Sequence, residues 1–169
     1  HNTWQCGNKI ASSGITQPPI VSSILKLMLD KNEFSSSEME RILNLVKKTK
    51  NYLEWFYNYR DPNDTGLVSI LHPWESGTDN SPLWDFPLSK ILIEENLEYK
   101  RRDLDVSSSD VRPLKRDYDC YITLLNQFRN EKYNPEKLYD ISMFNVADIG
   151  FNSLFLKACK DLVYIATKN

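Results

Sequence analysis

Apolar residues recur at helical spacing along much of the chain, and this repeat is the strongest constraint on its fold. The clearest case follows Ser37, where one helix face would carry Met39, Ile42, Leu43, Val46, Leu53 and Phe56. Two more segments with this spacing begin near Arg116 and near Asn145. No stretch of the 169 residues alternates apolar and polar positions well enough to predict a strand. The pattern therefore predicts an all-α fold.

Prolines and capping residues indicate where the helices begin and end. Pro18 and Pro19 precede an apolar repeat, and the first turn of a helix tolerates proline. Residues 37–40 have the serine and the acid of a capping box, which predicts the start of a second helix. The third helix should end near Asn134, because the residue before a proline avoids helical backbone angles. Residues 89–102 are compatible with a short helix.

Composition excludes several classes of function. The net charge is −2 and no block of Lys or Arg stands out, so the electrostatic signature of nucleic-acid binding is missing. There is no long apolar run, so no membrane partner is expected. The aromatic share of 12% leans high, and aromatic rings pack in cores and also stack on sugar rings.

Cysteine and histidine residues give no sign of a metal site or a redox centre. Cys6, Cys120 and Cys159 lack the spacing of a zinc site or a CxxC pair, and the last two fall at apolar positions of helices. Cys120 and Cys159 are predicted to be buried free thiols, and three scattered cysteines favour a reducing compartment and hence a cytoplasmic location. His1 and His72 cannot build a metal site without carboxylates. No metal and no other cofactor is expected.

The most unusual segment is HPWESGTDNSPLWD, residues 72–85, called here the Trp-rich loop. Gly77 frees the backbone and two prolines fix it, so the segment is predicted to be irregular. Trp74 and Trp84 flank Glu75 and Asp79. A carboxyl against aromatic walls loses hydration, which raises its pKa and suits a general acid. Alternatively, the acids cap helices or accept hydrogen bonds from backbone amides, and the residues alone favour neither interpretation.

A longer stretch around this loop, RDPNDTGLVSILHPWESGTDNSPLWD, resembles the signature of glycoside hydrolase family 63 and of its mannosylglycerate and glucosylglycerate hydrolase relatives. Family 37 trehalases have a looser version. Three other segments resemble the same family in the same order: GITQPP, VRPLKRDYDCY and FNVADIGFNSLFLKACKDL. The resemblance implies an (α/α)6 barrel, an inverting mechanism and an α-linked sugar substrate.

The resemblance also implies site residues within and near the Trp-rich loop. Asp79 is then the general acid, Trp74 a wall of the sugar pocket, and Gln17 a hydrogen-bonding partner of sugar or acceptor hydroxyls. Glu75 lies four residues before Asp79, as a pair on one helix face would. However, Gly77 argues against a regular helix, and the family takes its base from a distant Glu. Glu75 is therefore expected to orient the loop or to contact a sugar hydroxyl.

Two further residues are implied by the segment VRPLKRDYDCY. Arg112 and Tyr118 match positions that face the glycerate carboxylate in the glycerate-glycoside hydrolases, and the fork of an Arg suits a carboxylate. Arg116 is a competing candidate because the spacing departs from the family pattern. A salt bridge between Arg112 and Asp110 is the alternative that needs no ligand. By similar reasoning Asp61 is expected to form a turn and His72 to be structural.

The chain has no counterpart of the family's C-terminal Glu, the general base. Twelve barrel helices need more residues than this chain has. Residues 1–169 are therefore expected to be one partial barrel domain, inactive alone, with the rest of the barrel or a second copy as partner. The predicted function is hydrolysis of a small α-glucoside or α-mannoside, such as a glycerate-type solute or an α-gluco-oligosaccharide. The alternative is a non-catalytic carbohydrate-binding or interaction module.

Overall fold

The computed structural model describes residues 15–101, 104 and 113–168, and the regular secondary structure in these ranges is helical. The α-helices are α1 (Val21–Lys31), α2 (Ser36–Arg60), α3 (Asp85–Ser89), α4 (Lys115–Asn130), α5 (Pro135–Ile141) and α6 (Ile149–Lys168). A single antiparallel bridge pairs Ile70 with Val146 among these residues. The chain divides into two compact units. Unit 1 contains His1–Gln17 and Ile70–Val146, and unit 2 contains Pro18–Ser69 and Ala147–Asn169.

Unit 2 consists of α1, α2 and α6. The capping box of α2 is built by Ser35 and not by the predicted Ser37, since the helix begins at Ser36. The Ser35 side chain accepts from the Glu38 N–H, and the Glu38 carboxylate accepts from the Ser35 N–H at 2.9 Å. Two of the three consecutive serines lie three residues before a Glu, Ser35 before Glu38 and Ser37 before Glu40, and the helix uses the first pair.

The core of unit 2 lies where its three helices meet. Leu25, Ile42 and Ile165 form one buried cluster, to which α1, α2 and α6 each contribute a residue. On α2, the ring of Phe56 packs against Phe151, with their centroids 5.4 Å apart. These contacts confirm most of the apolar faces that the helical spacing predicts, but Leu43 of α2 is 41% exposed and was wrongly placed on the buried face. The helix α6 begins four residues later than expected.

Asp61 follows α2 directly and forms the predicted turn. Its carboxylate accepts hydrogen bonds from the N–H and hydroxyl of Thr65 and from the N–H of Gly66, at 2.7–2.8 Å. Gly66 has a φ of +80°, a conformation that glycine adopts without strain. Burial of Asp61 opposes ionisation, but the three donors outweigh it and hold the pKa of the carboxyl below its usual range.

Unit 1 contains α3, α4 and α5. The buried face of α4 includes Phe128, which packs with Leu71 and Leu138 in one core cluster. The helix α5 was not predicted, because seven residues are too few for a clear repeat. Asn134 is its N-cap and accepts from the Glu136 N–H at 3.1 Å, with a proline at the first helical position.

The segment after the Trp-rich loop is less helical than expected. The short helix α3 lies at Asp85–Ser89, and residues 90–101 contain a turn but no helix. Asp85 is the first residue of α3 and not its cap, since Trp84 occupies the N-cap position. Pro87 is the third residue of α3, and proline is tolerated there because the position lies in the first turn.

The two cysteines within the described residues are free thiols, as predicted. Cys120 is buried on α4 and Cys159 is half-buried on α6. Burial raises the pKa of both thiols, so neither is a thiolate at neutral pH. Cys6 and His1 lie outside the described residues. None of the described helices is both long and apolar enough to cross a membrane.

Candidate active site

The Trp-rich loop has the irregular backbone that its glycine and prolines predict. Two 3-10 turns, Pro73–Glu75 and Pro82–Trp84, each begin with a proline. Between them Gly77 has a φ of +77°, in the left-handed region. Residues 77–80 are exposed, whereas most of the residues on either side of Trp74 are buried. Residues 77–80 therefore form an exposed segment that includes Asp79, next to the mostly buried residues 72–76.

Glu75 belongs to the buried part of the loop. Its side chain is 0% exposed, and its two carboxylate oxygens accept from the backbone N–H groups of Leu71 at 2.7 Å and Thr16 at 3.2 Å. The contact with Thr16 connects the first part of the loop to the residue next to Gln17. Such contacts are what a residue that orients the loop would make, and both the orienting role of Glu75 and its contact with a sugar hydroxyl stay predictions.

His72 is also a structural residue. It is 0% exposed, and its Nδ1 accepts from the Trp74 N–H at 3.0 Å. The proton therefore resides on Nε2, which donates to the Tyr121 carbonyl at 3.1 Å. Burial lowers the pKa of His72 to about 4, and the nearby Glu75 opposes this only in part. A neutral imidazole with both nitrogens engaged does not carry protons at neutral pH.

Trp74 packs in an aromatic cluster with Tyr118 and Tyr121 of α4, and with Tyr99. The Trp74 ring lies 6.0 Å from Tyr118 and 5.6 Å from Tyr121, with both contacts edge-to-face. Tyr99 stacks on Tyr118 at 5.6 Å. The guanidinium of Arg101 lies 4.4 Å from the centre of the Tyr118 ring and donates to the Pro113 carbonyl at 3.0 Å.

Gln17 lies beside this cluster. Its side-chain amide donates to the Trp74 carbonyl at 3.2 Å, and the residue is exposed. The structure thus brings together Gln17, Trp74 and Tyr118, which are 57 and 44 residues apart in sequence. Arg112 lies outside the described residues, as does Asp110, so neither the predicted carboxylate contact nor its salt-bridge alternative is placed. Arg116 is exposed near the start of α4.

Asp79 lies on the exposed segment of the loop, and the polar ends of two buried aromatic residues hold the backbone there. The Trp84 indole N–H donates to the Thr78 carbonyl at 2.8 Å, and the Tyr121 hydroxyl donates to the Asp79 carbonyl at 2.9 Å. Trp84 is 2% exposed and Tyr121 is 1% exposed. The expected aromatic wall around the Asp79 carboxyl is wrong for this part of the chain: Trp84 is buried under the loop, and Asp79 is exposed.

Tyr121, Tyr99 and Arg101 are the residues of this site that the sequence interpretation missed. Tyr118 and Tyr121 are three residues apart on one helix, a spacing that places both side chains on the same face. That signal was available once Tyr118 was a candidate. Tyr99 and Arg101 lie in an irregular segment, where sequence spacing gives no indication of position. Among the described residues no cluster of three or more His, Cys, Asp or Glu has the arrangement of a metal site.

Comparison with known protein families identifies the class to which this site belongs. A family model described as the mannosylglycerate hydrolase MGH1-like glycoside hydrolase domain matches residues 1–169. The chain belongs to this glycoside hydrolase family. The resemblance on which the site prediction rests is therefore confirmed at the level of the family.

Curated relatives in this family act on glycerate glycosides by name. A mannosylglycerate hydrolase of Thermus thermophilus is 44% identical over 156 residues, which is 92% of this chain and 38% of the relative. A glucosylglycerate hydrolase of Mycolicibacterium hassiacum is 29% identical over 160 residues, 91% of this chain and 36% of the relative. The chain thus spans less than two-fifths of the length of these relatives.

A crystal structure of the family 63 mannosylglycerate hydrolase from Thermus thermophilus, in complex with Tris and D-glycerate, matches with a TM-score of 0.89 at 44% identity. The match covers 93% of this chain and 38% of that one. A complex of the same enzyme with glucose matches with a TM-score of 0.86. These matches confirm the predicted all-α fold as part of an (α/α)6 barrel.

Proposed function

We propose that the protein containing this chain is an inverting α-glycosidase that hydrolyses a glycerate glycoside, with Asp79 as its general acid. The observation that carries the proposal is the geometry of the Trp-rich loop. Asp79 is exposed to an incoming substrate, while buried residues of the same unit hold its backbone. The names of the relatives support mannosylglycerate or glucosylglycerate as the substrate.

In this mechanism the Asp79 carboxyl donates its proton to the glycosidic oxygen as the bond to the sugar breaks. Inversion needs a second carboxylate about 6.5–9.5 Å away, which activates a water on the opposite face of the sugar. We infer that this base comes from another part of the polypeptide, and that residues 1–169 contribute one segment of a single barrel domain. The chemistry requires two carboxyl groups and water, with no cofactor.

The aromatic cluster and its neighbours are assigned to substrate recognition. Trp74 is half-buried and offers part of its ring to the sugar, while Gln17 is exposed beside it with an amide that both donates and accepts. Tyr118 and Arg112 are assigned to the glycerate carboxylate. The crystal structure of the Thermus relative in complex with D-glycerate supports this assignment. A cytoplasmic location remains part of the proposal.

The substitution Asp79→Asn in the full-length protein tests the proposal. The amide cannot donate a proton to the leaving oxygen, so we expect kcat on mannosylglycerate or glucosylglycerate to fall roughly 10²- to 10⁴-fold. Sugar binding, measured by calorimetry, should persist because the side chain keeps its size. Nuclear magnetic resonance of the first product should show the β-anomer if the mechanism inverts configuration.

Asp85→Asn is the matched control, because Asp85 is an exposed acid of the same loop. It should keep most of the wild-type activity. If Asp79→Asn binds sugar and the wild type hydrolyses none of the glycerate glycosides, the protein is a binding module and not an enzyme. If Asp79→Asn and wild type turn over equally fast, the general acid is a different residue.

A further inference from the structure

Tyr121 makes three contacts that together connect α4 to the Trp-rich loop. Its carbonyl accepts from Nε2 of His72, its ring packs edge-to-face on Trp74, and its hydroxyl donates to the carbonyl of Asp79. The residue is 1% exposed, so these contacts lie in the interior of unit 1. One residue on a regular helix therefore contacts the loop at its first residue, at its aromatic ring and at its exposed acid.

We propose that Tyr121 is a positioning residue for the general acid: its hydroxyl fixes the Asp79 peptide so that the carboxyl meets the glycosidic oxygen. The inference rests on the proposed function of Asp79. It adds a residue that touches neither the substrate nor the transferred proton and that acts through the backbone of another residue.

The backbone around Asp79 explains why such a contact is needed. Residues 77–80 are exposed, and the first of them, Gly77, lets the backbone adopt a φ of +77°. Trp84 also holds this segment, through the Thr78 carbonyl, but Trp84 belongs to the same loop. Tyr121 lies on the 16-residue helix α4, outside the loop. The hydrogen bond from its hydroxyl therefore fixes the Asp79 backbone against a rigid helix.

The hydroxyl of Tyr121 stays a donor at every pH at which a glycosidase works. Burial raises the pKa of this phenol, and the charges of nearby carboxylates, first Asp117 and then Asp79, raise it further. Tyr121 is therefore neither a proton donor in the reaction nor a pH switch. Its role is to position the Asp79 carboxyl. The loss of rate on removing the hydroxyl should therefore be largest for substrates whose leaving group needs a proton from Asp79.

That dependence provides a test in the full-length protein. Tyr121→Phe keeps the ring that packs on Trp74 and removes only the hydroxyl. On the glycerate glycoside, whose alkoxide is a poor leaving group, we expect kcat to fall roughly 10- to 100-fold with KM within about twofold of wild type. On the α-glycosyl fluoride of the same sugar, fluoride departs with little help from an acid, so the fall should stay within about threefold.

Two further variants serve as controls for Tyr121→Phe. Asp79→Asn should show the same selective loss on the glycerate glycoside, since it removes the acid itself. Ser142→Ala is the structural control: in the same unit, the Ser142 hydroxyl donates to the Leu71 carbonyl at 3.2 Å and to the Phe144 carbonyl at 2.7 Å. It should lower the melting temperature while kcat on both substrates changes less than about twofold.

The result for Tyr121→Phe decides the inference. A fall of equal size on both substrates would mean general damage to the site and would overturn it, as would an unchanged kcat on the glycerate glycoside. Failure of the proposed function appears elsewhere, in a wild type without hydrolysis or in an Asp79→Asn variant of full activity, and either result overturns the assigned role of Tyr121 as well.

Discussion

The buried His72 makes the stability of the fold depend on pH in a way that can be measured. In the folded chain burial lowers the pKa of His72 from 6.5 to about 4. In the unfolded chain the ring is hydrated and keeps the usual value near 6.5. Between these two values the unfolded state binds a proton that the folded state does not. Stability is therefore fully present above pH 6.5 and falls as the pH drops towards 4.

The pKa difference sets the size of the effect. A fall from 6.5 to about 4 corresponds to about 3 kcal/mol of unfolding free energy between neutral pH and pH 4. In His72→Gln the side chain has no proton to bind, while its amide can still donate to the Tyr121 carbonyl. At pH 7.5 the variant should be less stable than wild type by about 1–3 kcal/mol, because the acceptor for the Trp74 N–H is lost.

Denaturant unfolding of the full-length protein, followed by tryptophan fluorescence between pH 4 and 7.5, measures this difference. Other groups titrate in the same range, but they are common to both proteins and cancel in the comparison. The stability advantage of wild type over His72→Gln should shrink by about 3 kcal/mol towards pH 4. If the hydrogen bond from the Trp74 N–H contributes less than this, the variant should become the more stable protein at pH 4. A difference that stays constant from pH 7.5 to 4 would refute the buried, neutral imidazole.

Two further predictions concern residues around the loop. Glu75→Ala removes the acceptor of the Leu71 and Thr16 N–H groups and should cost about 2–5 kcal/mol of unfolding free energy, measured by denaturant midpoints. Glu75→Gln keeps one acceptor oxygen and should cost about half as much. Arg101→Ala removes the cation over the ring of Tyr118, which the proposed function assigns to the glycerate carboxylate, and should therefore raise KM for the glycerate glycoside roughly three- to tenfold. Its KM for the glycosyl fluoride, which has no carboxylate, should not change, and an equal rise on both would argue against a role in glycerate recognition.

The helices and the loop were predictable because their causes are local. The apolar spacing from Met39 to Phe56 predicts α2, and Gly77 between two prolines predicts an irregular loop. The roles of Glu75 and Asp79 could be distinguished from sequence for the same reason. Because Gly77 disfavours a helix, the two acids were not expected to act as a pair on one helix face. The short α5 shows the limit of periodicity, because its only signal is the cap at Asn134 with the proline that follows it.

The support of Asp79 was not predictable because its cause is long-range. Tyr121 is 42 residues from Asp79 in sequence, and no local rule relates a phenol on one helix to a carbonyl in a distant loop. For Trp84 the prediction was wrong because it relied on local sequence alone. Adjacent position in sequence suggested a wall beside the acid, whereas the side chain packs beneath the loop and faces the Thr78 carbonyl.

A general acid of a glycosidase meets two demands that conflict. It must be open to a large polar substrate, yet its carboxyl must keep one position within a fraction of an ångström. Exposed backbone alone does not supply that order, because water replaces its hydrogen bonds at little cost. Tyr121 and Trp84 resolve the conflict: each buries a large ring in unit 1 and extends one polar atom to the backbone of the exposed segment. Leu, Ile or Phe at either position would fill the core without holding the backbone, and Lys or Gln would hold it without the buried ring. Under the proposed function, these two aromatic residues beneath the loop fix an acid that has to stay open to its substrate.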